Sequence, residues 1–397
     1  MASCWYSDSN ELSVLHQLPL NRDTTCDVVV VGAGMAGMSV AYFLAREGLD
    51  VTVLDDGPVG GGMTGLSTAH LSYAMEDGYA KVETFRGSRT ARLLAESHRA
   101  AVATIEELTI KERIDCQFLR VNGFLLNPPG QPRVDLQWEY AAARRAGLEV
   151  DWEENAPLPG FSSGPCLRFP NQAQFHPLRY LAGLTRAFLR LGGKVYTQSH
   201  VQRAVGGARP FVKTDRGFRV SCARLVLATN SGRLGVTFSS YVLALRVPAG
   251  SVPTALYWDT LPNYHYLRVV PGGATDGSDL LVAGGEDHRE DVTFPALFAS
   301  LESWVRERFP MARETDYLWS GKVQSCQEQA AVIGSAGEEN AFLVAGGSGH
   351  GLTHGTIAGQ LVADLVNGRS NPWAGLYAPA AERLEREGAP SAGAPSN

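Results

Sequence analysis

The sequence predicts an α/β fold, in which a parallel βαβ unit opens the chain and a mostly antiparallel portion is inserted before its close. Three observations predict it. A β-branched run, Asp27–Val31, leads through glycines into a helix-forming segment, Met38–Glu47, and then into a second β-branched run, Val51–Leu54. Between residues 241 and 285 the pattern becomes YVLALRV, ALYWD, YHYLRVV and DLLVAGG, separated by Pro and Gly turns, which reads as antiparallel strands. Near the end a further buried run, Ala341–Ala345, again passes through glycines into a helix.

The opening unit carries a specific signal. Gly32, Gly34 and Gly37 follow the first strand at G-x-G-x-x-G spacing, with Ala33, Met35 and Ala36 between them. Gly32 permits a tight turn, Gly34 lets backbone approach a pyrophosphate, and Gly37 lets the helix pack closely on the strand. The helix N-terminus offers unpaired N–H groups and a partial positive charge to phosphates. Asp55 ends the second strand, with Asp56 beside it, and is placed to accept hydrogen bonds from ribose hydroxyls. Strand, turn, helix, strand and terminal acid in one run predict a dinucleotide site.

Composition narrows the class. At 397 residues the chain exceeds the roughly 250–300 at which one core stops growing, so two intertwined or sequential domains are expected. Hydrophobic content of 44% and charged content of 19% are those of an ordinary globular protein. A net charge of −6 without a basic stripe argues against nucleic acid as a partner. No apolar run approaches the roughly 18 residues of a membrane span, and no polybasic run suggests a membrane surface. The N-terminal residues lack the pattern of a signal peptide, so a cytoplasmic location with reduced thiols is expected. The six cysteines, Cys4, Cys26, Cys116, Cys166, Cys222 and Cys326, lack metal-ligand spacing, and no metal site is expected.

Element by element, residues 57–75 are too rich in Gly, Ser and Thr for regular structure and read as a functional loop. Helices are predicted over Ser88–Arg113, Gln137–Gly147, Pro177–Leu191 and Pro295–Phe309. Strands are predicted over Phe118–Leu126, Lys194–Val201, Phe218–Val220 and Arg224–Ala228, the last entering Thr229 and Asn230. The glycine-rich turn at Gly346, Gly347, Gly349 and Gly351 opens the final helix, which runs to Val366. Several backbone N–H groups should converge there on an anion or a carbonyl oxygen. The tail 381–397 reads as disordered.

The two glycine-rich ends together, CDVVVVGAGMAGMSVAYFLAREGLDVTVLDD and FLVAGGSGHGLTHGTIAGQLVADLVNG, resemble the D-amino-acid oxidase, glycine oxidase and sarcosine oxidase superfamily of FAD proteins. The likeness covers nearly the whole chain. Within the superfamily, GGMTGLSTAHL, LRFPNQAQFHPLRYLAGL, ALYWDT, YHYLRV, GGEDH, WSGKV and SGHGLTHGTIAG resemble a bacterial branch that often carries a C-terminal Rieske domain. No C-x-H or C-x-x-H pair is present here, so no internal iron–sulfur relay is expected. The resemblance implies an FAD-binding Rossmann-like domain of the glutathione-reductase type, over 26–110, 165–232 and 325–380. It implies an inserted substrate domain over 111–164 and 233–324, on a mostly antiparallel sheet plus helices.

The resemblance also implies an activity: FAD-dependent oxidation of a C–N bond in an amine, imine or amino-acid-like substrate, by hydride transfer to flavin N5. O2 or another acceptor would reoxidise the flavin. Gly347, Gly349, His350, Gly351, Leu352 and Thr353 would meet the N1 and C2-carbonyl edge of the flavin, where negative charge develops. Gly62, Met63, Ser67, Thr68, Ala69 and His70 would wrap the pyrophosphate and ring. Val201, Thr229 and Asn230 would flank the adenosine half. His70, Tyr257, His265, Arg268 and His350 are the catalytic and pocket candidates, with Tyr266 a further pocket candidate and Arg268 chosen because a guanidinium grips a carboxylate bidentately; His288 and Lys322 lie nearby in sequence. Alternation along Tyr264–Val269 puts His265 and Leu267 on one face and Tyr266 and Arg268 on the other.

Three departures limit the likeness. Val282 stands where sarcosine oxidases have the lysine that assists oxygen activation, so a dehydrogenase or slow oxidase is expected. Their covalent flavin cysteine falls near Gly321, so the FAD is expected to be non-covalent. The P-x-D-G-x-P turn is replaced by CQEQAA, Cys326–Ala331. Two alternatives follow from that rebuilt loop: an FAD-dependent desaturase or oxidative cyclase acting in specialised metabolism, or a non-catalytic flavoprotein partner subunit.

Overall fold

The computed structural model describes residues 2–7, 12–128, 130–229, 236–261, 264–289, 295–325, 330–347 and 349–380. Asn230, Cys326–Gln329 and the tail 381–397 therefore lie outside the described residues.

A six-stranded sheet forms the first layer, in the order Val332–Ser335, Ala341–Ala345, Arg224–Leu227, Val28–Val31, Val51–Leu54, Lys194–Tyr196. Its pairs are parallel apart from the first. Val28–Val31 and Val51–Leu54 are buried along their whole length, as strands covered on both faces require. The helices Met35–Arg46, Pro177–Arg190 and Gly351–Val366 contribute apolar faces to the main core. A small four-stranded sheet, Thr24–Thr25, Arg219–Ser221, Phe211–Thr214 and Val201–Val205, adjoins it.

The second layer is a nine-stranded, mostly antiparallel sheet. Its main path runs Thr315–Ser325, Val236–Val247, Asp279–His288, His265–Val270, Leu256–Asp259, Leu119–Leu126, Cys166–Gln174, His70–Leu71, and Asp151–Glu153 pairs beside it. Leu256–Asp259 against Leu119–Leu126 is a parallel pair within it. A separate core cluster under the helix Pro295–Arg308 packs Phe298, Leu301 and Val305 on Tyr241, Leu243 and Leu281.

Several predicted bounds need correction. The helix expected at Ser88 begins at Tyr79 and is kinked at Gly87, whose φ of 81° is open to glycine and strained for other residues. Lys194–Val201 is two strands in different sheets, because Gln198 turns the chain in the left-handed region between them. The loop 57–75 holds a short helix, Met63–Leu66, and a strand, His70–Leu71. Cys166–Gln174, placed by sequence on the dinucleotide side of a boundary at 165, pairs with Leu119–Leu126 in the large sheet. Its inward residues include Gln172 and Gln174, so apolar alternation does not reveal it.

The helices Met35–Arg46 and Gly351–Val366 lie closer than ordinary side chains allow. A Cβ on Gly355 would come within 2.9 Å of the Ala36 nitrogen, and one on Gly359 within 2.9 Å of the Ser39 carbonyl carbon. Gly355 meets Met35 and Ala36 while Gly359 meets Ser39 and Phe43, so the helices run in the same direction with their N-termini together. The first helix is equally close to its own turn, since a Cβ on Gly37 would sit 1.8 Å from the Gly32 oxygen.

Gly355→Ala is expected to lower unfolding free energy by about 1–3 kcal/mol, the usual cost of overpacking. Gly375→Ala, where a Cβ meets nothing within 4 Å, is the matched control and should be neutral within about 0.5 kcal/mol. Denaturant unfolding of the two variants measures both.

Candidate functional site

One cavity of about 940 Å³ reaches both glycine-rich ends of the chain, the 61–70 loop and the inner face of the large sheet. That volume lies at the upper end of the usual range for ligand pockets. Both helix N-termini open into it: Gly34, Met35 and Ala36 from the first helix, and Gly347, Gly349, His350, Gly351 and Leu352 from the last. Thr64 Oγ1 accepts from the Met35 N–H at 3.0 Å and caps one of the free donors there. Gly32 lines the cavity with φ of 105°, and a Cβ there would meet the Ala228 oxygen at 2.5 Å. The cradle is thus bare backbone where a pyrophosphate would approach.

At the nucleotide end the cavity is lined by Asp55, Asp56, Val201 and Thr229. The Asp55 carboxylate accepts from the N–H groups of Ala33 at 2.5 Å and Gly57 at 2.8 Å. A carboxylate has about four acceptor sites, so ribose hydroxyls can still be taken up beside the turn it braces. Burial pushes this carboxyl upward while the two N–H bonds pull it back. Ala33, Gly37 and Thr353 do not line the cavity: Ala33 is fully buried, Gly37 packs on Gly32, and Thr353 donates its hydroxyl to the His350 oxygen at 2.9 Å.

Residues 62–70 are held from three directions. Ser3 Oγ donates to the Gly65 oxygen at 2.5 Å, and Trp5 Nε1 donates to the Ser67 oxygen at 2.7 Å. Trp319 Nε1, from the large sheet, donates to the Leu66 oxygen at 2.8 Å. Arg268 Nη1 donates to the oxygens of Ala69 at 2.8 Å, Phe175 at 3.2 Å and Thr68 at 3.3 Å, and its guanidinium lies 5.4 Å from the Trp5 ring centre. Gly62, Met63, Ser67, Thr68, Ala69 and His70 all line the cavity from this braced loop.

This geometry corrects the pocket reading of three residues. Arg268 is 2% exposed, does not line the cavity, and is committed to carbonyl groups rather than open to a carboxylate. Tyr257 also lies off the cavity; it stacks on Phe124 at 5.4 Å and donates to the Pro253 oxygen at 3.0 Å. His265 stacks on Trp304 at 4.3 Å, with Nδ1 3.2 Å from Asp259, under the helix Pro295–Arg308. The alternation along that strand is as expected, but the cavity lies on the Tyr266 face. Val282 is buried in the core, and the lysine lining the cavity is Lys322.

His350 and His70 do line the cavity, and His350 belongs to a buried histidine cluster. Its Nε2 accepts from the Glu76 N–H at 3.1 Å, so that nitrogen carries no proton. His354 Nδ1 bonds the Gly347 oxygen at 2.9 Å and must donate, because a carbonyl only accepts. Its Nε2 then accepts from His98 Nε2 at 3.1 Å. Burial pushes His350 down to about 4 and His354 to about 3, and holds His98 well below the ordinary imidazole value. The neutral His354 ring, backed by His98, thus ties down the Gly347 carbonyl without adding charge to the turn.

Sequence reasoning missed Glu76, Asp287, Tyr264 and Trp258, which line the cavity as well. Trp258 and Tyr264 sit inside runs that were read as strands, and their inward direction follows only from sheet register. Glu76 carried no motif. Its side chain projects into the cavity, where burial among protein atoms pushes its carboxyl up to about 8, with the charges of Asp287 and Asp77 adding to the shift and Lys81 opposing it.

Most of the chain resembles known proteins. A family model described as "DAO: FAD dependent oxidoreductase" matches residues 27–365. The sequence is similar to the Bacillus subtilis (strain 168) protein YhfW, named as a Rieske 2Fe-2S iron–sulfur protein, with 26% identity over 373 residues, covering 91% of this chain and 72% of that one. It is similar to gamma-glutamylputrescine oxidoreductase of Escherichia coli (strain K12), with 26% identity over 381 residues, covering 88% of this chain and 85% of that one. In structure it is similar to glycine oxidase from Geobacillus kaustophilus, with a TM-score of 0.75 and 19% identity, over 90% of this chain and 99% of that one; this likeness is one of fold.

Two outcomes follow from the site geometry. Arg268→Met should leave three carbonyl oxygens short of a donor and lower stability by about 2–4 kcal/mol. Denaturant unfolding checks it; a rise in substrate KM at unchanged stability would instead mark a carboxylate clamp. Glu76 holds its proton in the native protein between its ordinary value of 4.5 and about 8. The native state then binds more protons than the unfolded chain, so this group's contribution to stability falls as pH rises through that window. Relative to Glu76→Gln, the wild-type Tm should decline as melts are taken from about pH 5 to about pH 8.

Proposed function

The chain belongs to the DAO family of FAD-dependent oxidoreductases, and from that membership we propose that it oxidises a C–N bond of an amine or amino-acid-like substrate held in the cavity beside non-covalently bound FAD. The observation that carries the reading is the continuity of the cavity. It joins the cradle at Gly32–Ala36 to the glycine turn at Gly347–Gly351, and ends on an aromatic wall of Trp258, Tyr264 and Tyr266.

The residues fit the cofactor. The bare backbone of Gly32 and Gly34 and the N-terminus of Met35–Arg46 would hold the pyrophosphate. Asp55, Val201 and Thr229 would take the adenosine half, and Gly347–Leu352 with Met63 the ring. Bound there, FAD supplies the two-electron sink for the substrate's C–N bond. The protein's own part is orientation and exclusion of water. Tyr266 is tied to Ser240 by a 2.9 Å hydroxyl contact, so the wall is fixed in place. The N-terminus of Gly351–Val366, its turn set by neutral histidines, favours negative charge at its mouth. None of the five described cysteines lines the cavity, which supports non-covalent attachment. A small-molecule acceptor, O2 or another, closes the cycle. No helix among the described residues is long and apolar enough to cross a membrane.

Purified protein should be yellow, and acid precipitation should release the flavin into the supernatant. An anaerobic amine panel should bleach it, and the product should lose nitrogen on imine hydrolysis. A fully loaded flavin that no amine reduces would overturn the proposal. A product lacking only two hydrogens would point to desaturation or cyclisation.

A further inference from the structure

We propose that the substrate is an amine with a second positive charge, a diamine or polyamine rather than an amino acid, bound by Glu76 and Asp287 against the wall of Tyr264 and Tyr266. The inference rests on the amine-oxidation reading and adds the substrate class.

The charge of the lining decides it. Among the described residues lining the cavity there is no arginine, and Lys322 is the one lysine. The arginine nearest in sequence to the aromatic wall, Arg268, is occupied by three carbonyl oxygens. His70, His350 and His354 add no charge, because burial holds each well below neutrality. Recognition of a substrate carboxylate calls for a guanidinium or a comparable cationic clamp. This part of the cavity offers two carboxyl groups instead.

Those carboxyls come from separate elements. Glu76 lies directly against the glycine turn: a Cβ on Gly349 would fall 1.7 Å from its Oε2. It therefore sits at the end given above to the flavin ring, where the reacting amine must come. Asp287 comes from Asp279–His288 in the large sheet. Asp287 raises the affinity of Glu76 for a proton or a cation, since like charges facing one cavity repel. A dication relieves both. A zwitterion puts its own carboxylate beside them.

The remaining wall suits cations too. The Tyr264 and Tyr266 rings lie 5.4 Å apart at 37°, and His70 meets Tyr266 edge-on at 5.8 Å. Aromatic faces beside carboxylates attract ammonium groups, more strongly when water is excluded. His70 also keeps a buried Nε2 with no hydrogen-bond partner, while its Nδ1 is 3.1 Å from Thr68 Oγ1.

The test uses flavin-loaded holoenzyme and three amines of equal carbon-chain length: diaminobutane, butylamine and aminobutanoate. Binding is read as perturbation of the flavin spectrum, and oxidation as anaerobic bleaching. Diaminobutane should half-saturate at a concentration at least about tenfold below butylamine, with aminobutanoate weakest. Asp287→Asn should bring diamine and monoamine within about threefold of one another. Equal or better binding of butylamine or aminobutanoate by the wild type would overturn the inference, as would an undiminished preference in folded Asp287→Asn. The wild-type series decides the matter if that variant does not fold. Tight, selective diamine binding without bleaching by any amine would sink the oxidation reading and, with it, the diamine as substrate, while keeping Glu76 and Asp287 as its binding groups. Bleaching by all three amines without preference would do the reverse.

Discussion

The architecture of the site depends on the contact between the two helices Met35–Arg46 and Gly351–Val366. Gly351, Gly355 and Gly359 recur every fourth residue, and the backbone of the first helix lies against the last two of them. Parallel helices this close bring two partially positive N-termini together, which is unfavourable in isolation. The arrangement is favourable when something negative lies between them. A pyrophosphate at one mouth and an electron-rich ring edge at the other meet that condition, so the packing that costs stability without a ligand is also what builds the binding site.

The second constraint is the bracing of residues 62–70. Their backbone oxygens accept from Ser3, Trp5, Trp319 and Arg268, which come from the N-terminal segment and the large sheet. Burying a guanidinium costs several kcal/mol, and here three carbonyls and an aromatic ring offset that cost. The consequence reaches function. The arginine that the sequence offers as a carboxylate clamp is used instead to hold the loop.

Much of the dinucleotide half was legible because its physics is local. Gly32, Gly34, Gly37 and Asp55 lie within one βαβ unit, and spacing alone places them around its turn. The Gly347–Leu352 turn was legible for the same reason. The wall was not. Tyr266 and His265 are neighbours with opposite fates, and only the register of His265–Val270 against Asp279–His288 decides which one faces the cavity. Cys166–Gln174 hid because its buried side chains include two glutamines, bonded to Ser72, Tyr73 and Val269, which break the apolar pattern. Glu76 hid in a polar loop whose position over Gly349 is set by contacts some 270 residues away in sequence, such as its N–H bond to His350.

The close packing of the two helices is what creates the FAD site. The most direct measurement is calorimetric titration of apoprotein with FAD, for wild type and for Gly355→Ala under conditions where both are folded. One FAD per chain, with affinity weakened about tenfold or more in the variant, is the result the account predicts. Equal affinity in the two proteins would contradict it, because the N-termini would then bind the cofactor without being held together.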